Sequence, residues 1–457
     1  MSDAFDRLDD EVAEGARSPV SGITSAMAAG EALRTPLTDT QKRKARLELP
    51  AYLVIQASWF AAFGLQMVLF PFIIANLLGE SPTKLGLAQM ALSAPSVVFI
   101  LFGGVVAERA EGRTILILLH LLAAVPAAAL GWWILDGDIA FSILIVYALT
   151  MGTIGAFMMP ARDAILNEVV ERRQASGRDI TLQQGVAYAS LMQFGAQIAG
   201  LAIAGFATAA TVGALLGVQA AIVAVGAIAA VFLARGRKVH TGRSGFGAAF
   251  GDIADGFRTV NQSPVLFAMT LSMLGVGVFI IGAFLVVLPI VNRDVYGLGS
   301  DGIRNMFVIF WFGAFLSSAA LSRLKEIDRP GRLMLLAQFL GSACILVMMM
   351  QVPYVLFLTI VFLWGLAAGV SITLSRSIVQ RAAPPDRLAR VLSIYQLGFM
   401  GGAPFGAWLM GVLTDVLGVG LIPLVPALGM MILIAYMIAA TPIWRMQPEA
   451  TGVAGDK

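Results

Sequence analysis

Twelve stretches of this chain are predominantly apolar for 20 residues or more: 50–76, 84–107, 114–135, 139–161, 182–206, 213–234, 264–291, 303–322, 331–350, 354–375, 391–414 and 420–443. A helix needs about 20 such residues to cross roughly 30 Å of hydrocarbon. Inside hydrocarbon every backbone N–H and C=O has to be bonded internally, so a continuously apolar run crosses as a helix. The strands of a membrane barrel would instead alternate polar and apolar residues over about ten positions. The expected fold class is therefore an all-α membrane protein with twelve transmembrane helices. Composition agrees, since only 13% of residues are charged against about 25% in an ordinary globular domain.

Lys and Arg concentrate in cytoplasmic loops. With the N-terminus inside, 28 of the 31 Lys and Arg residues fall on the inner side, and only Lys84, Arg293 and Arg304 lie outside. Moving the count by one helix destroys this alternation, so the charges favour an even number of spans with both termini cytoplasmic. In a bacterial cell this means the cytoplasmic (inner) membrane. The formal net charge of +3 then reflects topology, and no nucleic-acid partner is expected.

Residues 1–46 begin acidic (Asp3, Asp6, Asp9, Asp10) and end basic (Lys42, Arg43, Lys44, Arg46) with no apolar core between. This reads as a disordered cytoplasmic tail set against anionic headgroups, and not as a signal peptide. A short cytoplasmic tail is also expected at 445–457. The single Cys344 lies in the ninth span and forms no intrachain disulfide.

The longest internal loop, 235–263, holds Arg235, Arg237, Lys238 and Arg243 and divides the spans six and six. Two six-helix bundles are expected on either side of it, 47–234 and 264–444, and two landmarks repeat at an offset of roughly 215 residues. After the second span the chain reads Gly103-Gly104-Val-Val-Ala-Glu108-Arg109-Ala-Glu111-Gly112-Arg113. After the eighth it reads Ser317-Ser318-Ala-Ala-Leu-Ser322-Arg323, leading to Arg329-Pro330-Gly331-Arg332. Following the fourth span comes Pro160-Ala-Arg162-Asp163 with Glu168; following the tenth, Ser375-Arg376 with Arg381, Asp386 and Arg387.

On these motifs, over about 48–443, the chain resembles the major facilitator superfamily, whose loop between helices two and three reads Gly-x-x-x-Asp-Arg-x-Gly-Arg-Arg. Gly104, Glu108, Arg109 and Arg113 match it, with Glu in the Asp position. The segment Pro160, Arg162, Ala164, Leu166, Glu168 and Val169 looks like the branch containing siderophore, macrolide and lysophospholipid transporters. Gly195-Ala196 stands where drug antiporters of the family carry Gly-Pro. The resemblance implies two pseudo-symmetric six-helix bundles that alternate access to a central cavity.

A carboxylate beside a basic turn at a helix end can bridge to a neighbouring helix in one conformation only, so Gly104, Glu108, Arg109 and Arg113 are candidates for a cytoplasmic latch. Arg162 with Asp163 or Glu168, and Arg376 with Asp386, are analogous gate candidates. Anchoring by positive charge is the plain alternative. Gln56, Trp59, Phe63, Gln66 and Phe70 fall at steps of 3, 4, 3 and 4, which puts them on one face of the first span. Two amides would not face lipid, so this face points to the bundle interior or a cavity, and the resemblance favours the cavity. Tyr147, Gln193, Trp364, Tyr395 and Gln396 are further cavity candidates, each open to a pure packing role.

No Asp, Glu, Lys or Arg lies near the middle of any expected span. Ionisable residues there mark ion relays and charged-substrate sites, so an amphipathic or largely neutral small molecule fits better. Protons as coupling ion have only two candidates, His120 in the third span and Asp415 near the outer end of the eleventh. Two histidines and one cysteine make no metal-ligand set, and no Gly-x-x-x-x-Gly-Lys loop is present, so neither an enzyme nor a cofactor is expected. The expected function is a monomeric secondary transporter that exports its solute from the cytosol. A lipid or lysolipid mover is the first alternative and a nutrient importer the second.

Overall fold

A computed structural model of the chain describes residues 39–109, 111–137, 139–176, 182–234, 255–321, 327–384 and 387–446. Among them are twelve long helical elements. The first half comprises α1 (Asp39–Pro71, continued by a π-helical turn Phe72–Leu77), α2 (Pro82–Arg109), α3 (Gly112–Asp136), α4 (Phe141–Ala175), α5 (Leu182–Ala204) and α6 (Val212–Ala230). The second half begins with α7, which runs from Pro264–Gly275 through π turns at Val276–Ile281 and Ala283–Val287 to Leu288–Asp294. It continues with α8 (Ser300–Leu321), α9 (Pro330–Val347), α10 (Tyr354–Ala382), α11 (Leu388–Leu421) and α12 (Leu424–Ala440). Nine helices among the described residues are long and apolar enough to cross a membrane, and two shorter apolar ones, Tyr188–Ala204 and Leu424–Ala440, fall within α5 and α12.

Large apolar side chains on the outer flanks are exposed, as with Val125 at 65% and Ile432 at 70%. Contiguous apolar surface of this kind aggregates in water, whereas in a bilayer it meets acyl chains of like polarity. Helix ends follow ordinary chemistry. Gly137 closes α3 in the left-handed region at φ 92°, with its N–H on the carbonyl of Trp133, a backbone that costs glycine little.

α1 begins about eleven residues before the first expected span, at Asp39. The basic turn Lys42–Arg46 is built of good helix formers and continues the helix rather than interrupting it. Likewise 255–262, expected as loop, is helical. Gly256, Thr259 and Val260 are buried there while Phe257, Arg258 and Asn261 are exposed, the 3–4 spacing of an amphipathic helix.

Helix pairing repeats between the halves. α1 packs on α5, α2 on α4 and α3 on α6; the second half has α7 on α11, α8 on α10 and α9 on α12. Across the halves α2 meets α11 and α5 meets α8, which are equivalent pairs if each half is advanced by six helices. The two halves are therefore related by a pseudo-two-fold.

The face carrying the ends of α1 and α12 is called proximal here, and the face carrying the α1–α2, α5–α6, α7–α8 and α11–α12 turns is called distal. Among the described residues six hydrogen bonds join the halves, all at the distal face. Arg293 Nη1 donates to the carbonyls of Ala75 (2.8 Å) and Glu80 (3.3 Å), and Asn76 Nδ2 to that of Leu298 (3.4 Å). Ser300 Oγ donates to the carbonyls of Ala207 and Gly205. The sixth is Thr83 N–H on Asp415 Oδ2, 2.8 Å. Thr83 is in the first turn of α2, so an aspartate of α11 caps a helix of the other half, and the positive end of the helix dipole adds to the bond. Removing the cap with Asp415→Ala is expected to weaken distal closure by about 1 kcal/mol. Faster labelling by an impermeant thiol reagent of a cysteine placed at Gly299, which faces Phe72 of the other half, would register it; an unchanged rate would show that the cap contributes nothing to closure.

Candidate transport cavity

The second half encloses a cavity of about 260 Å³. On α10, residues 364, 368, 372 and 376 step by four and so share one face, and all four line it. On α7 the lining residues Val276, Ile280, Ile281 and Phe284 sit in the two π turns. π turns inside α-helices recur at functional sites because they re-aim the side chains that follow.

Aromatic rings form one wall. Phe284 and Phe310 lie 4.4 Å apart. Trp364 meets both edge-on, at 5.8 and 5.4 Å, and Trp311 stands perpendicular to Phe310 at 5.7 Å. Edge-to-face geometry is the favoured arrangement of aromatic quadrupoles. Polar groups are few. Gln338 Nε2 donates to Ser272 Oγ (2.9 Å) and Ser371 Oγ (3.0 Å), which uses both of its amide hydrogens. Tyr395 OH and Ser375 Oγ are 2.7 Å apart. The indole Nε1 of Trp311 is buried with no hydrogen-bond partner. Arg376 and Gln396, both exposed, complete the lining.

Four of the residues singled out from sequence thus share this cavity: Trp364, Arg376, Tyr395 and Gln396. The candidates of the first half gather elsewhere, inside their own bundle. Gln219 Nε2 of α6 lies 3.4 Å from Gln66 Oε1 of α1 and 3.3 Å from the Tyr147 hydroxyl of α4. Gln56 is 6% exposed and its Oε1 has no partner. Trp59 is partly buried, and Phe63, at 40% exposure, is the open member of the stripe. Gln193 is half-buried on α5, next to Phe194, whose ring lies 6.1 Å from Phe315 of α8 in the other half.

His120 is fully buried, with Nδ1 2.7 Å from the carbonyl of Leu116 and its ring edge-on to Trp59 at 6.1 Å. A carbonyl only accepts, so Nδ1 carries the hydrogen and Nε2 of the neutral ring is the acceptor. α6 closes over Nε2 so tightly that a Cβ on Gly226 would lie 2.6 Å from it. Arg162, 2% exposed, stacks its guanidinium 4.7 Å above the Phe60 ring, a cation–π contact. Arg113 Nη1 reaches the carbonyl of Leu233 at 3.5 Å, tying the start of α3 to the end of α6. Asp415 is the distal cap described above. Gly104, Glu108 and Arg109 belong to the last turns of α2 and Asp163 to α4; their side-chain surroundings lie outside the described residues, as does Asp386.

Sequence reasoning missed Gln219, Gln338 and Trp311. The two glutamines carried the signal that singled out Gln56, an amide in an apolar span. It also missed a proximal ion pair. Glu48 of α1 is 2% exposed, and its Oε2 accepts from Arg172 Nε of α4 at 2.6 Å. Arg172 Nη1 also reaches Glu168 at 3.0 Å.

Twelve helices in two pseudo-symmetric halves, the second enclosing an apolar cavity, define a polytopic membrane protein fold. Residues 52–407 match the family model described as Major Facilitator Superfamily, and the chain belongs to that family. No curated protein matches it. Among solved structures, the chain is similar to a point mutant of the nucleoside transporter NupG (TM-score 0.67, 13% identity, 87% of this chain and 99% of that one). It is also similar to a POT family transporter in complex with 5-aminolevulinic acid (TM-score 0.67, 13% identity, 88% and 97%). A bacterial homolog of the human lysosomal transporter Spinster, in an inward-facing and unoccupied conformation, aligns at TM-score 0.62 and 14% identity over 88% and 96%. At these identities the likeness is one of fold.

Proposed function

We propose that this chain is a secondary transporter that exports an amphipathic or largely neutral small molecule across the cytoplasmic membrane by alternating access. The observation that carries this reading is the aromatic cavity of about 260 Å³ in the second half, which no Asp or Glu among the described residues lines. Apolar walls with a few fixed polar groups suit a ligand of mixed character. The closed distal face, with its six inter-half hydrogen bonds, fits a state that loads from the proximal side. With both termini cytoplasmic, as the Lys and Arg distribution favours, loading from that side is the first step of export.

His120 is the proposed proton carrier, since it is a fully buried imidazole two turns from the proximal end of α3. The test is flux of labelled amphiphiles, siderophores and lysolipids in proteoliposomes, with and without an imposed pH gradient. One-for-one exchange with protons is expected to give roughly tenfold accumulation per pH unit, because one unit is about 1.4 kcal/mol. His120→Asn should abolish that accumulation and leave downhill exchange intact. Flux that ignores the gradient would remove proton coupling, and the absence of flux for every amphiphile would remove the substrate class.

A further inference from the structure

Among the described residues, the lining of the cavity in the second half has one charged group, the guanidinium of Arg376. Among the described residues no carboxylate pairs with Arg376, and none lines the cavity. The buried donor of the same cavity, Trp311 Nε1, has no acceptor. Gln338 cannot serve a ligand as donor, because both its amide hydrogens are held by Ser272 and Ser371. What the site lacks is acceptor oxygen, in two places: one opposite a full positive charge and one at an indole N–H.

We infer that the cavity binds an organic monoanion, a carboxylate on an apolar or aromatic body, with the carboxylate on Arg376 and a second, uncharged acceptor on Trp311 Nε1. This rests on the reading of the cavity as the substrate site and names its substrate class. A carboxylate entering an apolar space requires a charged partner, and Arg376 supplies one with a forked set of donors suited to a carboxylate. An ammonium ligand would meet like charge, with no carboxylate to offset it. A dianion would leave one charge unmatched. A fully neutral ligand could use the apolar wall and the indole donor of Trp311 but would leave the charge of Arg376 unmatched.

The test uses the purified full-length protein and follows quenching of tryptophan fluorescence by three ligands with one naphthylalkyl body: the carboxylate, its primary amide and its ammonium analogue. The carboxylate is expected to bind about tenfold or more tighter than the amide, and the ammonium weakest. Arg376→Gln should bring carboxylate and amide to the same affinity, Arg376→Lys should keep the order, and Trp311→Phe should weaken a version of the carboxylate that carries a ketone in its alkyl body while leaving the ketone-free carboxylate and the charge preference unchanged. Equal binding of carboxylate and amide by the unaltered protein, or a preference that survives Arg376→Gln, overturns the inference while leaving amphiphile transport standing. Failure of all three ligands to quench overturns it as well. Absence of flux for every amphiphile in proteoliposomes would instead count against the transport reading itself.

Discussion

Replacing Arg172 with alanine is expected to destabilise the first half by about 3 kcal/mol, because it strands a buried carboxylate. Glu48 is 2% exposed and faces Arg172 Nε at 2.6 Å. A buried carboxylate and a half-buried guanidinium contribute little net stability as a pair, yet removing the guanidinium leaves the carboxylate desolvated and uncompensated. Adding Glu48→Gln should therefore recover most of the loss, since it deletes the stranded charge and keeps the shape. Thermal unfolding of the purified single and double variants, followed by fluorescence, measures this. If Arg172→Ala melted at the same temperature with or without Glu48→Gln, the pair could not be what holds α4 against α1.

Gly86→Val is expected to open the distal face and nearly abolish transport. A Cβ at Gly86 would come 2.5 Å from the carbonyl of Ala407 and 3.1 Å from Cα of Gly411. The relation is mutual, because a Cβ at Gly411 would lie 2.5 Å from the carbonyl of Pro82. Backbone meets backbone here, so no side-chain rotation relieves the clash, and α2 must move away from α11. These helices belong to different halves, so the displacement separates the bundles at the end where Asp415 caps α2. Labelling of a distal cysteine by an impermeant thiol reagent should rise about tenfold or more if closure loses about 1.4 kcal/mol or more. Wild-type labelling and wild-type flux in Gly86→Val would show that this crossing does not gate the distal side.

Both effects lie in places that the sequence only half discloses. The expected span 50–76 identifies α1, but not that Glu48, just before it, is buried, because burial depends on Arg172 124 residues away. Gln66 and Tyr147 stand in the sequence as separate cavity candidates. Their common partner is Gln219, a residue of a third helix, and the shared network places them inside the first bundle. The second half behaves differently. Trp364, Arg376, Tyr395 and Gln396 belong to two neighbouring helices and line one cavity, but the indole donor of Trp311 and the serine-held amide of Gln338 emerge only from contacts. Asp415, a proton-coupling candidate from its position in the eleventh span, sits on the first turn of α2.

The set of membrane-spanning helices and their division into halves can be read from the chain without its fold. They follow from local properties: the length of each apolar run against the thickness of hydrocarbon, and the obligation to satisfy the backbone within the segment. Which polar side chains share a site, and which helices seal the distal face, depends on packing in three dimensions. In lipid, apolar surface carries no preference for one helix over another, and pairing is set by close approach of small residues and a few polar contacts. Glycines at 86 and 411 lie more than 300 residues apart, and nothing in their local sequence states that they touch.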